Sequence, residues 1–162
     1  MTEDANKKKC IAAVRIRGTL SALREARVTL ELLHLSRNNY GILVNNDPSF
    51  LGMLQAVQGF VTWGEPTKET VAMMVKERSR LVGNKKLADE KLQKMGYKSM
   101  DEFADAIFKC KVDYWKLKDI QPVFRLHPPT KGFKGKIKKS YLAGGELAYR
   151  GDQINDLLRR ML

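Results

Sequence analysis

A chain of 162 residues, 43% hydrophobic and 30% charged, is long enough for one domain with an elaboration. It is apolar enough to bury a core, which argues against wholesale disorder. Lys and Arg number 30 against 18 Asp and Glu, a net charge of +12, so a polyanion is the expected partner: nucleic acid first, an anionic membrane surface second. No run approaches the roughly 20 apolar residues of a membrane span, and the start (Met1, Thr2, Glu3, Asp4, then Lys7-Lys8-Lys9) lacks the apolar stretch of a signal peptide.

The first third alternates between strand and helix periods. Residues 10–17 read as a strand, with Val14 and Ile16 on one face and Arg15 and Arg17 on the other. Gly18-Thr19 breaks it, and a helix follows with Leu23, Ala26, Leu30 and Leu33 on one stripe. Residues 40–45 form a short apolar strand. Asp47 is placed to cap the next helix, with Pro48 at its first position and Phe50, Met53, Leu54 and Val57 inward. A third strand at 60–63 ends at Gly64. The order β-α-β-α-β is most simply folded as two helices on a three-stranded sheet.

Beyond Glu65-Pro66 the character changes. Thr67 caps a helix expected to run to about Val82, before Gly83-Asn84. A short helix over 88–95 stops at Gly96. Ser99-x-x-Glu102 is a capping box opening a helix with Phe103, Ala106 and Ile107 inward. Residues 122–126 suggest a strand, and 127–139, rich in Pro, Gly and Lys, a loop. Asp152 is placed to cap a terminal helix with Ile154, Leu157, Leu158 and Met161 on one face. The chain thus divides into a basic tail (1–9), a small α/β core (10–64) and a basic extension (65–162).

The charge is unevenly spread. Residues 1–64 hold eight basic and five acidic side chains, a net +3; residues 65–162 hold 22 and 13, a net +9. Residues 125–139 hold Arg125, Lys131, Lys134, Lys136, Lys138 and Lys139 and no acid. Glycines there let backbone approach phosphates, and lysines release counterions from them. Phe133 either stacks on an unpaired base or turns into the core. Arg15, Arg17, Arg24 and Arg27 around the first strand, Lys85 and Lys86 in a turn, His127 before Pro128-Pro129, and Arg150 complete the candidate RNA-binding set. Residues 99–119, with five acids and four lysines, are expected to face protein or solvent.

Signs of chemistry are sparse. There is no GxxxxGK[ST], HExxH or GxSxG, and Gly144-Gly145-Glu146 reads as a turn. Cys10 and Cys110 form no CxxC, and His34 and His127 have no soft ligand nearby in sequence, so neither a metal nor another cofactor is expected. Asp101, Glu102 and Asp105 cluster at a helix start, where acids are favoured electrostatically. The expectation is a non-enzymatic RNA-binding protein with no membrane or small-molecule partner.

Several segments together resemble a known family. Arg15-x-Arg17-Gly18-Thr19, Thr29-Leu30-x-x-Leu33-x-Leu35, Gly52-Met53-Leu54 and Val61-Thr62-Trp63-Gly64 resemble the core of the universal large-subunit ribosomal protein L-thirty family, L-seven in eukaryotes. The resemblance continues in Phe124-Arg125-Leu126-His127-Pro128-Pro129-x-Lys131-Gly132-x-Lys134-Gly135, Gly144-Gly145-Glu146 and Arg150-Gly151-x-x-Ile154-Asn155-x-Leu157-Leu158. This second set reads as archaeal, and only Lys7-Lys8-Lys9 stands where eukaryotic members have a longer basic arm. The resemblance implies an α+β fold: a ferredoxin-like core of three strands and two helices plus a mostly helical basic extension. It also implies a structural role in the large ribosomal subunit, in the cytoplasm. The implied partners are large-subunit rRNA, with 5S rRNA a further candidate, and neighbouring ribosomal proteins. A non-ribosomal RNA-binding or RNA-processing factor is the alternative.

Overall fold

The computed structural model describes residues 8–162; residues 1–7, most of the basic tail, lie outside the described residues. Strand β1 (Cys10–Arg15) occupies the middle of the sheet. Strands β2 (Tyr40–Asn45) and β3 (Val61–Gly64) flank it, both antiparallel to it. Helix α1 (Arg24–Leu32) links β1 to β2, and α2 (Pro48–Ala56) links β2 to β3. The β-α-β-α-β order is as expected.

The sheet itself is larger than expected, with six strands in the order β4-β2-β1-β3-β6-β5. The three additional strands come from the extension. β4 (Phe124–Arg125) joins β2 antiparallel; β6 (Gly145–Tyr149) joins β3 in parallel; β5 (Lys136–Ser140) joins β6 in parallel and forms the edge. The stretch 127–139, expected as a loop, therefore ends as a strand. Gly145 makes this possible, because a Cβ there would collide with the backbone of Lys139. The close approach gives the lysine segment a ladder for its backbone polar groups. The extension is also less helical than expected. It holds α3 (Lys68–Arg78), α4 (Asp89–Lys94), α5 (Met100–Phe108) and α6 (Ile154–Met161), three strands and long irregular stretches.

Both faces of the sheet are covered. Period two sends Ile11 and Ala13 of β1 to one side, where they pack with Leu30 of α1, Leu33 at its end, and Leu54 and Val57 of the α2 region. Ala12, Val14 and Leu43 face the other side, packed by Val71 and Met74 of α3, Phe103 and Ile107 of α5, and Leu157 and Leu158 of α6. Every residue of β1 is consequently buried, Arg15 included, which replaces the expected polar face. A strand covered on both faces reads as a near-continuous apolar run, as Cys-Ile-Ala-Ala-Val does here.

Local signals fared variously. Thr67 Oγ1 accepts from the Thr70 N–H at the start of α3, and Ser99 Oγ from the Glu102 N–H at the start of α5. Glu102 reaches back to the Lys98 N–H at 2.8 Å. Pro48 opens α2, but Asp47 makes no side-chain cap bond, and α6 starts from a 3-10 turn (Gly151–Gln153), not from an Asp152 cap. Leu23 precedes α1 and is 79% exposed, outside the apolar stripe. α3 stops at Arg78, short of Val82, because Ser79 turns extended. Arg80 then bridges Lys86, and Leu81 bridges Ile120, around a turn with positive φ at Gly83 and Asn84. Gly96, with φ +89, ends α4 as expected: its N–H donates to Gln93 O and the next N–H to Leu92 O.

Candidate nucleic-acid interface

Strand β5 reads Lys-Ile-Lys-Lys-Ser, and all five residues are exposed. Lysines on an edge strand block pairing with another chain and leave the ammonium groups in solvent. Lys136, Ile137, Lys138 and Lys139 line an open groove with Gly135 and Phe133. Phe133 is half-buried, packs against the core and borders the groove as well. Among the described residues, Lys136, Lys138 and Lys139 have no carboxylate partner. The strand thus presents three ammonium groups and an aromatic edge along one side of the sheet.

A buried ion pair holds this edge in place. Arg150 Nη2 donates to Glu146 Oε2 at 2.6 Å and to the Glu146 backbone oxygen at 2.7 Å, with both side chains only 4% exposed. Arg150 Nε donates to Thr62 Oγ1 on β3, and the guanidinium lies 5.0 Å from the Tyr141 ring centroid. The second carboxylate oxygen of Glu146 accepts the Gly135 N–H at 2.7 Å. One salt bridge therefore ties β6, β3 and the glycine entering β5. A side chain at Gly135 would press on the backbone oxygens of Gly144 and Gly145.

The preceding turn docks on α6. Lys131 and Gly132 have φ of +64° and +71°, and the Gly132 N–H donates to Pro129 O. Arg160 Nη1 donates to Gly132 O, and the Lys134 ammonium lies 3.0 Å from Asp156. The hydrogen bond from Lys134 holds the Asp156 carboxyl below the usual carboxylate range. Lys131 is exposed. His127 Nδ1 is 2.7 Å from Pro128 O, and the His127 backbone N–H donates to Met161 O.

The other sequence-selected residues fall into separate groups. Arg15 is 5% exposed and donates to Arg17 O, Leu35 O and Thr19 Oγ1; burial lowers its pKa. Arg15 and Arg150 are buried and hydrogen-bonded within the fold. Arg17 lies 5.7 Å from the Phe60 ring centroid, and Arg27 donates to Leu20 O. Arg24, Lys85 and Lys86 are exposed, and Arg125 is exposed on β4, at the sheet edge opposite β5. Phe133, Lys136, Lys138 and Lys139 are thus brought together, with Lys131 and Lys134 in the turn before them. Glu146 and Thr62 were missed as supports: Glu146, only four residues before Arg150, lay in a stretch read as a turn, and nothing local marks a Thr on β3 as the partner of an Arg 88 residues away. No group of three or more His, Cys, Asp or Glu among the described residues could hold a metal ion.

Comparison with known proteins agrees with the resemblance read from sequence. Residues 11–61 match the family described as ribosomal protein L30p/L7e. The chain is 45% identical over 150 residues to the large ribosomal subunit protein uL30 of Thermofilum pendens, covering 92% of this chain and 96% of that one. It is 44% identical to uL30 of Archaeoglobus fulgidus (93% and 98% covered) and 42% identical to uL30 of Methanopyrus kandleri (91% and 100% covered). With such identity over nearly the whole of each chain, extension included, this chain belongs to the uL30 family of large ribosomal subunit proteins.

Proposed function

We propose that the chain is a structural constituent of the large ribosomal subunit in the cytoplasm, binding and stabilising folded rRNA during translation. Its family membership supports the ribosomal role. The observation that carries the RNA contact is the fully exposed lysine strand β5, pinned by the buried Glu146–Arg150 pair. Residues 10–64 act as the scaffold and residues 65–162 bear most of the contact. Lys131, Lys134, Lys136, Lys138 and Lys139 neutralise phosphates, and Phe133 offers a ring edge to an unpaired base. Lys85, Lys86, Arg24 and His127 add outlying contacts. Phosphate contacts supply the affinity and RNA shape the specificity. Large-subunit rRNA is the partner, with 5S rRNA as a further one, and no catalytic step is assigned. The acids of the 99–119 region are largely spent inside the protein: Asp105 pairs with Lys68, Asp113 with Lys116 and Asp119 with Lys91. That region faces neighbouring proteins or solvent.

The test is affinity for large-subunit rRNA as a function of salt. Neutralising about six phosphates costs about three orders of magnitude between 50 and 200 mM salt. Replacing Lys136, Lys138 and Lys139 by Ala lowers the slope of log K against log salt by about 3. A flat salt dependence in the wild type refutes the mechanism. Sedimentation of native extract separates the ribosomal role from that of a free RNA-binding factor, since only the former places the chain stoichiometrically in the large-subunit peak.

A further inference from the structure

The sheet edge opposite β5 carries a second groove. It lies where β4 pairs with β2, Tyr40 standing across from Arg125, and its lining includes Glu31, His34, Arg37, Tyr40, Gln121 and Arg125. Sequence reading selected only Arg125 among these. Arg37 and Arg125 are exposed, and among the described residues neither guanidinium has a partner. The side-chain oxygen of Gln121 is buried and accepts no hydrogen bond. Tyr40 packs its ring on the core and shows part of it to the groove. Among the described residues Glu31 is the one carboxylate in the lining, and it can accept from a hydroxyl.

Two free guanidiniums and an aromatic ring suit an unpaired nucleotide better than a duplex. Guanidiniums take the flanking phosphates, the ring takes part of a base face, and Glu31 accepts from a ribose hydroxyl. We infer that this groove binds an unpaired RNA segment, so that the chain ties two RNA segments together, one at each edge of its sheet. The inference rests on the reading of β5 as the first RNA-binding edge. Five strand spacings of about 4.8 Å put the two edges roughly 24 Å apart. This is about three Debye lengths at physiological salt, so the edges act as separate sites. A rigid sheet between them fixes the distance between the two bound segments, as a short stiff linker does between binding modules.

The experiment uses the full chain and an oligouridylate too short to span both edges, with stoichiometry read by native mass spectrometry in about 0.15 M ammonium acetate, where the edges stay electrostatically separate. The wild type is expected to bind two copies. Arg37→Glu with Arg125→Glu is expected to bind one, as is Lys136→Glu with Lys138→Glu and Lys139→Glu, and the two sets combined none. Thermal melting of each variant shows that the fold is intact; Arg37 and Arg125 are surface side chains without partners, so their replacement leaves it so. A single copy on the wild type, lost with the lysines and indifferent to Arg37 and Arg125, overturns the second site and leaves the rRNA reading standing. Two copies retained in the arginine variant also overturn it. No binding by any form overturns both the inference and the β5 reading on which it rests.

Discussion

Removing Glu146 is the sharpest perturbation of the interface, because it strikes the support and leaves the lysines untouched. In Glu146→Ala the Arg150 guanidinium stays buried and keeps its bonds to Thr62 Oγ1 and the Glu146 backbone oxygen, but its counter-charge is gone. The Gly135 N–H loses its acceptor as well. Breaking a buried pair by removing one partner costs about 3–5 kcal/mol. For a chain of this size that corresponds to a fall of roughly 6–20 °C in Tm. Glu146→Ala with Arg150→Met removes both charges and is expected to recover part of the loss, giving a coupling of about 1–3 kcal/mol. Urea unfolding followed by tryptophan fluorescence measures all four corners of the cycle. Additive single effects, or a Glu146→Ala cost below about 1 kcal/mol, would refute the assignment of this pair as the anchor of β5. RNA binding adds an independent readout, since the single variant should lose affinity with every lysine still present.

Other perturbations probe separate links. Gly145→Ala places a Cβ against the Lys139 backbone and should part β5 from β6; faster amide exchange over residues 136–140, with the rest of the sheet protected, is the expected result. Tyr114 is buried, hydrogen-bonds Ser79 Oγ at 2.9 Å, and has its pKa pushed up from 10.0 to about 12 by burial. The folded state holds this proton more tightly than the unfolded one. Its contribution is therefore complete below pH 10 and is lost as pH rises towards 12, by up to about 3 kcal/mol. Tyr114→Phe, compared with wild type by denaturation over that range, should lack this part of the alkaline loss and cost about 1–2 kcal/mol at neutral pH. Asp101→Lys with Glu102→Lys should leave rRNA affinity unreduced in a binding titration, at a stability cost of about 1 kcal/mol from the lost Glu102–Lys98 contact; a large affinity loss would contradict the placement of this region.

Periodicity sufficed for the first three strands and two helices because each carries a self-contained apolar pattern. It could not reveal that the second sheet face is covered by α3, α5 and α6, which lie far along the chain. Arg15 was misplaced for that reason: alternation alone sends it to a surface, and only tertiary packing buries it against Leu35 and Thr19. The uninterrupted Cys-Ile-Ala-Ala-Val run was the available signal for a doubly covered strand. β5 hid behind its composition, since Lys-Ile-Lys-Lys has no buried face and only Gly145 lets it pair. The lysine cluster itself was legible, because charge and the absence of acid need no fold. Arg150 was legible as basic but not as buried: its ion-pair partner Glu146 is near in sequence, but Thr62, its hydrogen-bond partner on β3, is not. The Tyr40–Arg125 groove draws on three segments brought together only by the β2–β4 pairing.

The two-faced sheet also has a history in time. β1, β2 and β3 are made first, and α1 and α2 close one of their faces at once. On the other face Ala12, Val14 and Leu43 are covered in stages, by Val71 and Met74 of α3, then Phe103 and Ile107 of α5, and last by Leu157 and Leu158 of α6, while β3 waits for β6 to cover its open edge. A newborn chain therefore carries an incompletely covered sheet face and a free strand edge until its last residues are made, the state from which chains aggregate. Contacts so distant in sequence also make the final closure slow. A chain stopped after β3 should need a chaperone, whereas one extended through α6 should not.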